Sequence, residues 1–237
     1  MSRIKIGIIG DYRPESPSHN ATNEALHHCA AYSGIDLDLE WLPTRTLEEN
    51  AEKCISGFDG LWCSPGVYES TDGAINAIKF AREKDHPLIG TCAGFQFMVI
   101  EYARNKLGLR DAAHAEFDPD AKNLIITPLS CSLVGKTSKV LIAKASRLYE
   151  YYKETEVEER FTCRFGINPV YQKLIDESGF KIAASDENDE IRVLDLVQNR
   201  FYTATLFQPQ LSSLPTNPHK LILAYLNSVK EFHIFKE

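Results

Sequence analysis

The chain has 237 residues, 43% apolar and 25% charged, with a formal net charge of −7. That is globular composition with material for one sizeable core, and the acidic balance without Lys/Arg runs excludes a surface built to track phosphates. No apolar run is long enough to span a bilayer, and the first residues read as a strand rather than a secretory leader.

The hydrophobic pattern predicts a strand over 4–9 and a helix over 21–32, with Asn20 or Thr22 as its cap. A strand over 37–42, a helix over 46–54 and a short strand over 60–63 follow. Next come a helix over 73–84, a strand over 88–90 and a helix over 93–107. Strands alternating with helices of this length imply a parallel sheet with helices on both faces, joined by right-handed crossovers. The second half reads as more β-rich, with strands over 124–127, 139–143, 160–164, 180–184, 192–196 and 202–206 and a closing helix over 217–231. The stretches 118–122 and 154–159 read as loops. No repeat or linker divides the chain, so residues 1–237 are expected to form one domain. Cysteines 29, 54, 63, 92, 131 and 163 form no CxxC pair; they read as reduced thiols of a cytoplasmic protein, most of them packing residues.

The segment 87–96, PLIGTCAGFQ, carries the chemistry. A short buried strand enters a turn in which Cys92 sits between Gly90 and Gly94, and a helical pattern starts at once. Small residues on both sides permit a sharp bend that exposes the thiol at a helix N-terminus, where backbone N–H groups stabilise a thiolate or an oxyanion. The plain alternative is a small buried residue after a strand. Pro65-Gly66, just after another strand, offers a backbone N–H beside the turn. Gln96, one helical turn beyond Cys92, shares its face. Gly7-Ile8-Ile9-Gly10 lacks dinucleotide-binding spacing, the adjacent His27 and His28 complete no metal set, and Asp11, Tyr12 and Arg13 read first as loop residues. No cofactor or metal is expected.

With these motifs in place, the chain resembles the class I glutamine amidotransferases, in particular the glutaminase domain of CTP synthase. The resemblance runs through the opening strand and Asn23-Glu24-Ala25-Leu26, Pro65-Gly66, Gly90-Thr91-Cys92-Ala93-Gly94-Phe95-Gln96, Ala115-Glu116-Phe117, Glu159-Arg160 with Arg164-Phe165, and Phe207-Gln208-Pro209-Gln210. It implies a flavodoxin-like α/β three-layer sandwich with a mostly parallel central sheet. It also implies Cys92 as nucleophile, Gly66 and Ala93 as oxyanion donors, and Gln96, Glu116 and Arg164 as the groups holding an amino-acid substrate. The family has a histidine and a glutamate where this chain has Gln208 and Gln210, and a glycine where it has Val67. A carboxamide has no pKa near neutrality and cannot shuttle a proton. Three readings follow: a Cys92-dependent enzyme on glutamine or a similar amide with another proton path, a binding or regulatory module without turnover, and a slow glutaminase serving a separate synthase. His114 and His219 read first as surface histidines and are also the candidates for a replacement base. No phosphate-binding G-x-x-x-x-G-K-[ST] occurs, so no synthetase half is expected in these residues. The partners kept open are a small amino acid or amide, a synthase-type protein and a second copy of the chain; nucleic acid and membrane are not expected.

Overall fold

The computed structural model describes residues 3–236. Through the first half, β1 (Ile4–Ile9), α1 (Pro17–Tyr32), β2 (Leu37–Leu42), α2 (Ala51–Ile55), β3 (Gly60–Cys63), α3 (Thr71–Glu83), β4 (Leu88–Thr91) and α4 (Ala93–Asn105) alternate. The second half contains β5 (Ala112–His114), β6 (Asn123–Pro128), β7 (Lys136–Ile142), α5 (Arg147–Tyr152), β8 (Glu156–Phe161) and β9 (Phe165–Ile167). It closes with α6 (Pro169–Glu177), β10 (Phe180–Ser185), β11 (Ile191–Leu196), β12 (Tyr202–Thr205) and α7 (Lys220–Lys236).

The main sheet has nine strands in the order β2-β1-β3-β4-β12-β11-β10-β7-β8. It is mixed: pairing is parallel from β2 to β12 and antiparallel from β12 to β8. α1, α5 and α7 pack together, as do α2, α3 and α4, so two helical layers enclose the sheet. Every residue of β3, β4 and β12 is buried, as expected of central strands covered on both faces. A small sheet, β5-β6-β9, stands apart from the main one.

Several expectations are corrected. α1 starts four residues early because Ser16 caps it, accepting from the His19 N–H at 3.4 Å, and Pro17 occupies the first turn. The helix expected over 46–54 is a 3-10 turn, Thr44–Leu47, followed by the short α2, whose cap is Asn50. The charged stretch read as a loop is most of β8, an edge strand that turns Glu159 and Phe161 inward and its other charges to water. The following residues, expected as strand, form the turn that carries Thr162 and Cys163. α5, α6, β5 and β9 are absent from the sequence expectation; α6 carries a legible start in Asn168-Pro169, with the Asn168 side chain accepting from Val170 N–H.

One buried ion pair fixes the helix behind the candidate nucleophile. Arg82 of α3 donates from Nε and Nη2 to the Glu101 carboxylate of α4 at 2.8–3.2 Å, and Asn199 donates to the Arg82 carbonyl. Two charges paired this closely hold α3 and α4 in one register.

Candidate active site

Cys92 lies at the carboxyl end of β4, between the ends of β3 and β12, the place where open α/β sheets present ligand crevices. Its backbone has φ 54° and ψ −107°, a strained conformation for a residue with a Cβ, and its N–H is tied to Thr205 O at 2.9 Å. The glycines on either side explain how the chain reaches it. A Cβ on Gly94 would stand 2.2 Å from Cys63 O, and one on Gly90 would stand 2.3 Å from Met98 Sδ. Only glycine lets the first turn of α4 lean this closely on the strands.

The Cys92 thiol is half-buried at a cavity of about 180 Å³ lined by Gly66, Val67, Ala93, Gln96, Glu116 and Cys163, among others. Four donors face its sulfur: first the Cys163 thiol, then the Thr162 hydroxyl, the Ala93 N–H and the Gln208 carboxamide. Against the opposing effect of burial they hold the thiol below its ordinary pKa. The Thr162 oxygen is 3.7 Å from the sulfur. Cys163 is raised, as expected of the thiol that keeps its proton when its neighbour ionises.

Gln208 and Gln210 lie inside the molecule beside this site. Gln208 is fully buried; its backbone N–H donates to Arg160 O at 2.9 Å and its Nε2 to the Thr162 hydroxyl. Its Oε1 accepts from Gln210 Nε2 at 3.2 Å, and the same nitrogen reaches Thr91 Oγ1 at 3.5 Å. The segment therefore presents a chain of amides and hydroxyls to Cys92, with no group that titrates near neutrality.

The other expected residues converge on the cavity. Gln96 is buried, with Nε2 donating to Phe165 O at 3.0 Å and Oε1 accepting from His114 Nε2 at 3.2 Å. Glu116 and Arg164 are exposed at the rim, and among the described residues neither side chain forms an internal hydrogen bond or ion pair. Gly66 takes φ +105°, open to glycine, and Val67 is exposed beside it. Neither candidate base lines the cavity, and neither is a surface residue. His114 is buried, accepts from Glu116 N–H at Nδ1, and is pushed down to about 4 by burial, so it is a neutral support for Gln96. His219 is buried elsewhere, 3.0 Å from Glu159.

Thr162, Cys163 and His19 went unnoticed in the sequence. The first two follow an edge strand and reach Cys92 only through tertiary folding. His19 is buried, donates from Nε2 to Pro65 O at 3.0 Å and accepts from Arg13 N–H, fixing the peptide that precedes Gly66. Asp11 has a structural role: its carboxylate accepts from Thr44 N–H, Thr44 Oγ1 and Glu69 N–H at 2.7–2.9 Å, joining three loops at the crevice.

An α/β sandwich with a strained cysteine elbow at the ends of parallel strands defines a class of nucleophile-bearing folds. The family model described as glutamine amidotransferase class-I matches residues 18–225, and the chain belongs to that family. It is CTP-synthase-like within it: 31% identical to the CTP synthase of Saccharolobus solfataricus over 95% of this chain and 45% of that protein. Against the CTP synthase of Cyanothece sp. the identity is 32%, over 96% and 44%. The chain thus spans less than half the length of these curated relatives. Its fold matches the glutaminase domain of Trypanosoma brucei CTPS with bound acivicin at a TM-score of 0.89 and 24% identity, over 96% of this chain and 94% of that one. A glutamine amidotransferase from Thermotoga maritima matches at 0.60 and 9% identity, over 98% of each chain.

Proposed function

We propose that this chain is a Cys92-dependent enzyme acting on glutamine or a glutamine-like amino acid or amide, without a histidine–glutamate proton shuttle. The observation that carries the reading is the strained elbow that presents the Cys92 thiol to one cavity with Gln96, Glu116 and Arg164, where neighbouring hydrogen bonds lower its pKa without any base. In this scheme Cys92 attacks the side-chain carbonyl carbon, and the N–H groups of Ala93 and Gly66 hold the developing oxyanion. Glu116 pairs with the substrate's α-ammonium, Arg164 with its carboxylate, and Gln96 orients the chain between them. Collapse gives a thioester, and the leaving group takes its proton from water. Gln208 keeps a hydrogen bond on the reacting sulfur in place of proton transfer. Without a triad base, amide turnover is expected about 10⁴-fold below that of a complete triad.

A second reading, an amino-acid-binding or regulatory module without turnover, is favoured by one feature: Gln208 and Gln210 carry no titrating group at the position of the proton shuttle. A synthase-type protein partner, a homodimer and a cytoplasmic setting belong to the same proposal. Among the described residues no helix is long and apolar enough to cross a membrane.

The test is intact-protein mass spectrometry after exposure to 6-diazo-5-oxo-norleucine, with Cys92→Ala alongside and ammonia release from glutamine followed in parallel. A Cys92-dependent adduct with slow or no ammonia release supports the enzyme. Neither adduct nor ammonia moves the binding module to first place.

A further inference from the structure

Cys163 is the nucleophilic group at the site that the proposed reaction does not consume. It is buried, yet it lines the same cavity as Cys92 and follows directly on Thr162, whose hydroxyl is 3.7 Å from the Cys92 sulfur; its own sulfur is 3.4 Å from the Leu206 carbonyl. The two cysteines come from unrelated parts of the chain, the elbow after β4 and the turn after β8. Both are anchored to the end of β12, Cys92 through Thr205 O and Cys163 through Leu206 O.

We infer that Cys92 and Cys163 form a redox-active dithiol, in which a small hydroperoxide oxidises Cys92 and Cys163 captures the product as an intramolecular disulfide. The Cys92 thiolate attacks the terminal oxygen of the hydroperoxide; the O–O bond breaks, an S–O bond forms, and the alkoxide or hydroxide released takes a proton from water. The Cys163 sulfur then attacks the sulfenic sulfur of Cys92. The S–S bond forms, the S–O bond breaks, and the hydroxyl leaves with the Cys163 proton as water. In total two thiols and one hydroperoxide give one disulfide, one alcohol or water from the peroxide, and one further water. The peroxide is reduced by two electrons and the dithiol is oxidised by two. The closed form has no nucleophile, and an external dithiol restores it.

The remaining cysteines mark the pair as selective. Cys63, at the neighbouring end of β3, is buried against the Tyr68 hydroxyl at 3.2 Å and pushed up to about 12, so it supplies no thiolate. Cys29 is buried against Ser213 and also raised. Cys54 and Cys131 are exposed, and neither lines the cavity. The hydrogen bonds that lower the Cys92 pKa serve the first step, and the adjacent thiol serves the second. The inference needs no amide turnover and shares with the proposed function only a reactive Cys92; the Cys92–Cys163 crosslink tests it apart from that function.

The experiment uses the full chain, reduced and then exposed to hydrogen peroxide, with intact mass and non-reducing peptide mapping. The expected product has lost two hydrogen atoms, links the Cys92 and Cys163 peptides, and reverts with dithiothreitol. In Cys163→Ser, Cys92 should instead be trapped by dimedone as a sulfenic acid and pass on to sulfinic acid at least about 10-fold more than in the parent chain. A parent chain that accumulates sulfenic or sulfinic Cys92 without the crosslink overturns the inference. So does a Cys92 that resists peroxide, or one that pairs with another cysteine. Should Cys163→Ser fail to fold, the peptide map of the parent chain decides alone.

Discussion

Two polar clusters adjoin the segment 208–211, and they are made of opposite chemistry. The cluster facing Cys92 consists of Gln208, Gln210, Thr91 and Thr162, groups that donate and accept hydrogen bonds but exchange no proton near neutrality. The other consists of Tyr152, Glu159 and His219. There the Tyr152 hydroxyl donates to Glu159 at 2.7 Å and His219 Nε2 lies 3.0 Å from the same oxygen. His219 Nδ1 accepts from Leu221 N–H at 3.3 Å, so in the neutral ring Nε2 is the donor to the carboxylate. The fold therefore buries a histidine–carboxylate pair readily, but lines a different cavity with it. The proposed binding groups and the proposed nucleophile share one cavity, and the histidine–carboxylate pair lines the other.

The largest effect is expected from joining what the two clusters separate. Placing histidine and glutamate beside the nucleophile, as Gln208→His with Gln210→Glu, should raise ammonia release from glutamine by about 10³-fold, since a triad base and its orienter are worth that order. The gain should vanish in a Cys92→Ala background. A folded double variant with no gain would show that more than proton transfer separates this site from a complete triad.

Acid should act on the buried histidines. The pKa values of His114 and His86 are pushed down by burial to about 4, from an ordinary 6.5. As pH falls the unfolded chain takes the proton first, so this stability is complete above 6.5 and is lost toward 4. Each is worth on the order of 3 kcal/mol over that window. Urea unfolding followed from pH 7.5 to 4.5 checks it. His114→Asn should flatten the profile by about one proton, and an unchanged slope would remove His114 from its neutral, supporting position. Smaller again is the loss from opening the second cluster: His219→Ala should cost about 2 kcal/mol. It should leave Cys92 alkylation within about twofold of the parent. A larger change in alkylation would mean that the two cavities are coupled.

The Cys92 half of the site was legible because its constraints are local. Gly90, Cys92 and Gly94 must be spaced as they are for a strand to turn into a helix against β3, and a reader of the sequence meets that spacing directly. The first four strands were legible for the same reason, a short hydrophobic run broken by a turn before the next helical segment. Beyond Leu107 the cues weaken. β8 is an edge strand whose alternating glutamates look like a solvated loop until β7 is beside it, and misplacing it moved Thr162 and Cys163 into a strand. His114 and His219 were read as exposed because histidine alone carries no burial signal; their partners, Gln96 and Glu159, are distant in sequence. The family resemblance located Gln208 and Gln210, but only the fold shows that Gln208 binds Thr162 and that Gln210 stands behind it.

The last prediction tests whether the amide cluster acts on the sulfur at all. If Thr162 and Gln208 help to hold Cys92 ionised, removing them must raise its pKa, because each donates to the charged form more strongly than to the neutral one. Thr162→Val and Gln208→Leu should each move the midpoint of the iodoacetamide rate–pH profile upward by about half a unit, under 1 kcal/mol apiece. Below the midpoint the rate should fall in proportion to the lost thiolate; above it, the variants and the parent should converge. Convergence separates an electrostatic role from a steric one, since a side chain that merely opened or closed the cavity would shift the plateau as well. Cys163→Ser should act in the same direction but less, because a hydroxyl still donates to the sulfur. The order Gln208→Leu above Cys163→Ser would then place the carboxamide among the groups that lower the Cys92 pKa.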